Sequence, residues 1–219
     1  MRILVTGFEP FEGENMNSSW EAVKRLSEEI AGNQIWKCQL PVSFNQCEEI
    51  LIQKLEEIRP DLVLCTGLAG GRKGITVERI GINIRDARIP DNGGEQPVDC
   101  PIRQGGPVAY FATLPIKAIV KELNENQIPA AISNTAGTYV CNDIFYTLLD
   151  WQARNIPEAK GGFIHLPYTL EQANTHTEIL RARVGCTPGE FRESVFGMSL
   201  EKMTQALELA ICVCVKEGM

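Results

Sequence analysis

Histidine is scarce in this chain: two residues, His165 and His176, among 219. With so few imidazoles, a zinc site would have to lean on cysteines, and the eight of these (38, 47, 65, 100, 141, 186, 212 and 214) are scattered without ligand spacing. Only Cys212 and Cys214 stand close together, in an apolar C-terminal stretch with no third or fourth ligand nearby. A disulfide framework is missing as well. In a chain this long without an export signal, the cysteines are expected as reduced thiols. The apolar run after Met1 stops at Gly7 with no cleavage pattern, so it reads as a first strand and the protein as cytoplasmic. No stretch approaches the roughly 18 uninterrupted apolar residues of a membrane span. Positive charge is not in excess: the net charge is −7 and the pI near 5.0. That balance excludes nucleic acid and acidic membrane surfaces as main partners. Repeats, low-complexity segments and linkers are lacking, so residues 1–219 are expected to form a single domain. A phosphate motif is lacking too. The loop from Gly67 to Gly74 has neither the G-x-x-x-x-G-K-[ST] order nor the G-x-G-x-x-G spacing, and its glycines fit close approach of backbone to a small ligand.

What is present is an alternation of strands and helices. Ile3–Thr6 reads as a first strand. Ser18 with Glu21 forms a capping box for a helix whose apolar face is Trp20, Val23, Leu26 and Ile30. Strand Gln34–Leu40, helix Phe44–Ile58 and the buried strand Asp61–Thr66 follow. Ile75–Ile84 alternates as one strand, with Glu78 in phase with Ile80, Ile82 and Ile84. Residues 86 to 113, rich in Gly and Pro, read as a long loop with room for a hairpin, and a stretch of that kind is usually functional or ordered by a partner. Helix Pro115–Asn126, a buried strand Ile128–Ile132, a helix ending at Arg154, strand Gly161–Pro167 and a closing helix Leu200–Lys216 capped by Ser199 complete the pattern. The expected fold is α/β, a single-domain α/β/α sandwich around a mainly parallel twisted sheet.

One stretch concentrates the chemistry. Ser133–Gly137 has the composition of a turn, and apolar residues at Val140, Ile144, Tyr146, Leu148 and Leu149 recur afterwards at helical spacing. Cys141 therefore lies in the first turn of a helix beginning at the carboxyl edge of the sheet. Backbone N–H groups and the helix dipole favour a thiolate there, below the usual thiol pKa of ~8.5. The alternative is a small buried hydrophobe, as most free cysteines are. A cysteine nucleophile needs a base, and imidazole suits that role near neutrality. His165 closes an apolar strand at the same expected edge, where α/β folds gather ligands. His176 falls in a polar run, on what reads as a solvated helix face. Glu78 is the acid that stands out, on an otherwise apolar strand face. It orients an imidazole, forms a buried ion pair with Arg72, Arg79 or Arg85, or faces water in its strand pairing. Phe8, Phe11, Tyr139 and Val140 can wall an apolar pocket with Asn17 as a neutral polar reader; ordinary core packing is the alternative for the aromatics.

These stretches together resemble the pyroglutamyl-peptidase I family. Residues 67–83 (GLAGGRKGITVERIGIN) are similar to its glutamate signature and residues 132–146 (ISNTAGTYVCNDIFY) to its cysteine signature. Phe163–Pro167 is similar to its histidine segment, and Thr6–Phe11 with Asn17–Trp20 to its N-terminal stretch. The likeness runs in the same order from residue 1 to about 215. It implies Cys141 as nucleophile, His165 as general base and acid, and Glu78 as its orienting partner. It further implies a pocket from Phe8, Phe11, Ser43, Ile89, Tyr139 and Val140, with Asn17 reading the lactam carbonyl and Leu68 beside the ring N–H. Arg88 is an added candidate for the oxyanion. A metal-independent, cofactor-free cytosolic enzyme is implied, a homo-oligomer (dimer or tetramer) acting on small peptides with an N-terminal pyroglutamate. The chain departs from the family pattern at Leu68 (usually glutamine), Gly81 (alanine), Ser18 (proline), Glu12 (glycine) and Tyr139 (phenylalanine). Two other functions fit the same residues: a thiol amidase of shifted specificity, and a binding module that keeps the fold without turnover.

Overall fold

The computed structural model describes residues 1–184 and 194–217, so Cys186 lies outside the described residues. In chain order the elements are β1 (Arg2–Phe8), α1 (Ser18–Val23), β2 (Glu29–Ile30), β3 (Asn33–Leu40), α2 (Phe44–Ile58), β4 (Leu62–Leu68), β5 (Ile75–Glu78), β6 (Ile80–Ile82) and β7 (Ala109–Phe111). They continue with α3 (Ile116–Glu125), β8 (Ala130–Ser133), α4 (Val140–Asn155), β9 (Lys160–Leu166), β10 (Tyr168–Thr169), α5 (Leu170–Val184), β11 (Gly197–Met198) and α6 (Leu200–Glu217). The central sheet has the order β2-β3-β1-β4-β9-β5-β8. Four of its pairings are parallel (β1 with β3 and β4, β4 with β9, β5 with β8), while β2–β3 and β5–β9 are antiparallel. The result is a mixed, mostly parallel sheet with helices on both faces.

Alternation along the strands divides the core in two. Ile3, Val5, Leu62, Leu64, Ile75, Val77, Ile164 and Leu166 point to the face covered by α1, α3 and α6. Leu4, Phe8, Val63, Cys65 and Phe163 point to the face covered by α2 and α4. Helix α4 is buried on nearly every side from Asn142 to Gln152, because the β6–β7 ribbon packs on it from outside the sheet. No described helix is long and apolar enough to cross a membrane. The seven described cysteines are free.

Several expectations need correction. The cap of α1 is Asn17, whose Oδ1 accepts from the Ser19 amide and hydroxyl; the Ser18 hydroxyl donates instead to the Pro167 carbonyl. That helix ends at Val23, and Ile30 belongs to β2. The strand expected over 75–84 breaks at Arg79. Its N–H donates to Ser133 O in the main sheet while its carbonyl accepts from Ala112 N, so the chain crosses from one sheet to another. Glu78 and the isoleucines at 80, 82 and 84 therefore do not share a strand face. The strand expected over 128–132 runs from Ala130 to Ser133 and is only partly buried, because it forms the edge of the sheet. The long 86–113 stretch supplies β7 to pair with β6. It is further pinned by the Arg85–Cys100 bridge and by Asp91, which accepts from the Phe44, Gly93 and Glu95 amides.

Candidate active site

Strands β5 and β8 run opposite to β4 and β9, so the carboxyl end of β8 is not the edge at which His165 lies. The chain between Ser133 and Tyr139 instead leads over the α4 face. Tyr139 is the cap residue of α4, and Cys141 sits in the first turn. His165 falls on the same face as Phe163, two residues earlier in β9, and opposite Gly67 in the parallel register with β4. A β-carbon built on Gly67 would lie 2.8 Å from the Cys141 sulfur and 2.9 Å from the Phe163 ring. The sulfur thus occupies the side-chain space of the residue paired with His165. Glu78 reaches this face from the other neighbour of β9. Thr76 pairs with His165, and Glu78, two residues on, points the same way.

The structure brings all three groups to one surface of the sheet. His165 Nδ1 is 2.7 Å from Glu78 Oε1, with the carboxylate fully buried and the imidazole 4% exposed. Arg72 Nη1 donates to the same carboxylate oxygen and to Thr76 Oγ1, while its Nη2 donates to Thr135 O at 2.9 Å. Arg72 is accordingly the buried ion-pair partner; Arg79 goes to Asn134, and Arg85 to Asp143 and Glu48.

Burial works to raise the pKa of Glu78, but the His165 hydrogen bond and charge, Ser133 and Arg72 outweigh it and hold the carboxyl below its ordinary value. Burial lowers His165, and Glu78 offsets this only in part. Burial pushes the Cys141 thiol up to about 12, helped by the negative charge of Glu78 and opposed by Arg72. Burial thus opposes the thiolate that the helix N-terminus favours. Desolvation is the largest cause, the sulfur filling the space beside Gly67 that a β-carbon there would share with the Phe163 ring. Both shifts favour a neutral thiol beside a neutral imidazole at rest. An ionised Glu78 accepts from Nδ1–H, which leaves Nε2 as the basic nitrogen.

Cys141 opens onto a cavity of about 610 Å³. Phe8, Phe11, Asn17, Leu68, Tyr139 and Val140 line it, as expected from the sequence. Phe11 and Tyr139 pack with ring centroids 5.4 Å apart, and Phe44 meets Tyr139 edge-on. Asn17 gives one amide hydrogen to Glu9 O. Ser43, Ile89 and Arg88 do not reach the cavity wall. Ser43 is buried at the start of α2 with Asp91 and Gly93 as neighbours, and Arg88 is exposed. The Tyr139 hydroxyl donates to Pro90 O at 2.9 Å.

Part of the wall was not anticipated. His176 is not on a solvated face: it stacks on Tyr168 at 4.3 Å, bonds Glu14 Oε1 at 2.8 Å and lines the cavity with Ile179, Leu180 and Arg183. The signal was the spacing 176, 179, 180, 183, one stripe of a helix. Gly67, whose missing side chain makes room for the sulfur, was likewise read only as loop glycine. Among the described residues no group of three His, Cys, Asp or Glu side chains could hold a metal ion.

Comparison with known proteins adds independent findings. A family model described as pyroglutamyl peptidase matches residues 1–217. The chain is 59% identical over 173 residues to a pyrrolidone-carboxylate peptidase of Thermococcus onnurineus, covering 79% of this chain and 86% of that protein. It is 49% identical over 218 residues to that of a Thermoanaerobacter species, covering 100% of both. Its fold is similar to that of a mutant pyrrolidone carboxyl peptidase from Pyrococcus furiosus, with TM-score 0.91, 42% identity and 100% of both chains covered. Pyroglutamyl peptidase I from Bacillus amyloliquefaciens is also similar, with TM-score 0.87, 43% identity and 99% and 98% of the chains covered.

Proposed function

The chain belongs to the pyroglutamyl peptidase family and is a peptidase, and on that premise we propose that it removes N-terminal pyroglutamate by cysteine catalysis through a thioester. The observation that carries this reading is the 2.7 Å contact of His165 with a buried carboxylate, on the strand face where the Cys141 sulfur takes the place of a Gly67 side chain.

In this reading Glu78 fixes the imidazole with Nδ1 protonated. His165 Nε2 takes the thiol proton as sulfur attacks the carbonyl carbon that joins pyroglutamate to the next residue. The oxyanion forms against backbone N–H groups at the start of α4, whose first amides have no partner within the helix. The carbon–nitrogen bond then breaks, and His165 returns the proton to the leaving amine. Water attacks the thioester, its proton passes to the imidazole, and free pyroglutamate departs as the thiol is restored. The neutral lactam sits against Phe8, Phe11, Tyr139 and Val140, with the second amide hydrogen of Asn17 available to its carbonyl. The whole chain, residues 1–219, acts as one cytoplasmic peptidase domain. Assembly as a homo-oligomer, dimer or tetramer, is supported by Val98, Val108 and Phe111, which stand 67%, 86% and 68% exposed.

Release of a chromophore from a pyroglutamyl amide, before and after alkylation with iodoacetamide, tests the reading. Turnover that disappears as the label maps to Cys141 supports it; turnover indifferent to a labelled Cys141 overturns it. A silent binding module would give no release at all. Leu68 on the cavity wall, where the resembled family usually has glutamine, favours one second reading: a thiol amidase of shifted specificity. Comparing pyroglutamyl, prolyl and glutaminyl amides separates the two.

A further inference from the structure

The cavity is much larger than a five-membered lactam, falling within the range of sites that enclose drug-sized ligands. Its second half has a chemistry of its own. Gly67 yields its side-chain space to the Cys141 sulfur, and Gly70, three residues further on, yields its own to the Tyr168 ring, which would lie 2.1 Å from a β-carbon there. The wall built on Tyr168 is thus displaced from the nucleophile along the 67–70 segment. From that wall the stripe His176, Ile179, Leu180 and Arg183 of α5 continues the lining, joined by Val195. Ile179 and Leu180 are 41% and 40% exposed, apolar side chains left open on the cavity side of their helix. His176 is tied to Glu14, and Glu14 also accepts from Gln172, so these two groups are already partnered; Glu12 and Arg183 are the other charged residues on the cavity wall. The Val195 amide donates to Thr177 Oγ1, fixing that residue against α5.

We propose that Ile179, Leu180 and Val195 form the subsite for the residue that follows pyroglutamate, and that this subsite selects a bulky apolar side chain in the leaving peptide. The proposal rests on the peptidase reading of the site. The occupant follows from continuity: a peptide whose first carbonyl lies at Cys141 must send its next residue away from the lactam pocket, and the open part of the same cavity is the apolar α5 stripe. On a wall that stays partly open, the discrimination expected is about tenfold, the low end of what one methylene contributes in an enclosed apolar pocket.

The test is kcat/KM for pyroglutamyl-leucinamide, pyroglutamyl-glycinamide and pyroglutamyl-aspartamide, read by appearance of the free amine. The wild-type enzyme is expected to favour leucinamide over glycinamide by about tenfold. In Ile179→Asn/Leu180→Asn that ratio is expected to fall to within about twofold, with Leu180→Ala intermediate as a milder change less able to disturb folding. A wild-type ratio near one, a ratio unchanged in both variants, or a preference for aspartamide would overturn the subsite. Absence of turnover with all three substrates would bring down the peptidase reading itself, a result distinct from turnover without selectivity.

Discussion

The sulfur of Cys141 lies where the side chain of residue 67 would be, and residue 67 is glycine, paired in register with His165. The proposed nucleophile and its imidazole are thereby brought to one strand face by a strand pairing and an omitted methyl group. Gly67→Ala is the sharpest consequence. The added carbon would stand 2.8 Å from sulfur and 2.9 Å from Phe163, too close for either. Overpacking of this kind costs about 1–3 kcal/mol of stability. Displacement of the sulfur is expected to lower kcat by about a hundredfold or more. Thermal unfolding and turnover measured on the same preparation check both; an active, equally stable variant would show that the sulfur is not confined there.

In the proposed mechanism Glu78 acts through His165. Glu78→Gln keeps the shape but removes the charge that holds Nδ1 protonated. By analogy with other orienting carboxylates, kcat is expected to fall by about 10³–10⁴ with little change in KM. The kcat-against-KM split is the measurement, and a variant whose KM rises while kcat holds would assign Glu78 to substrate binding.

The pH dependence of turnover follows from the neutral resting pair. His165 has its pKa lowered from 6.5 by burial, so kcat/KM rises through a value below 6.5 as the base loses its proton. Cys141 is pushed up to about 12, so no alkaline decline is expected in the mildly basic range. A profile that instead falls through neutral pH as the imidazole deprotonates would indicate a preformed thiolate–imidazolium pair.

Stability should respond to acid in the same region. A histidine whose folded pKa is depressed takes up its proton in the unfolded chain first, so stability declines as pH falls from about 6.5 toward the folded value. Glu78, also depressed, contributes stability above about 4.5 that is lost as pH drops through its own folded value. Melting temperatures across that range are expected to fall steadily, with a shallower slope in His165→Gln just below pH 6.5. Identical slopes would remove His165 from the account.

Tyr139→Phe tests the departure at that position. Its hydroxyl donates to Pro90 O and ties the 86–113 segment to the cap of α4. Loss of that bond is expected to cost about 1 kcal/mol in denaturant unfolding while the apolar wall beside Phe11 is kept. A changed preference among pyroglutamyl and prolyl amides would instead place the hydroxyl in contact with substrate.

Much of this was legible in the residues. Helix α2 and the strand–helix alternation follow from apolar periodicity, and Arg59 ends α2 in the left-handed region just before Pro60. Cys141, His165 and Glu78 stood out as a thiol in a first helical turn, a strand-end imidazole and a carboxylate in an apolar run. What could not be read was direction. Periodicity does not say that β5 and β8 run against β9, so the route by which Cys141 comes to the face of His165 is not the shared strand edge the sequence suggests. The break at Arg79 was hidden because Ile80 and Ile82 continue the alternation of Ile75–Glu78 in a different sheet. The burial that opposes the thiolate was hidden for a related reason: local sequence displays the helix dipole but not the packing beside Gly67 and Phe163. The α5 wall was overlooked because His176 lies in a polar run and its stripe faces a cavity rather than the core.

The central claim is that one sulfur performs the chemistry. Release of a chromophore from a pyroglutamyl amide by the Cys141→Ala protein, beside wild type of equal melting temperature, tests it most directly. The account predicts turnover reduced by at least about a thousandfold with the fold intact. Turnover within a few-fold of wild type would contradict it.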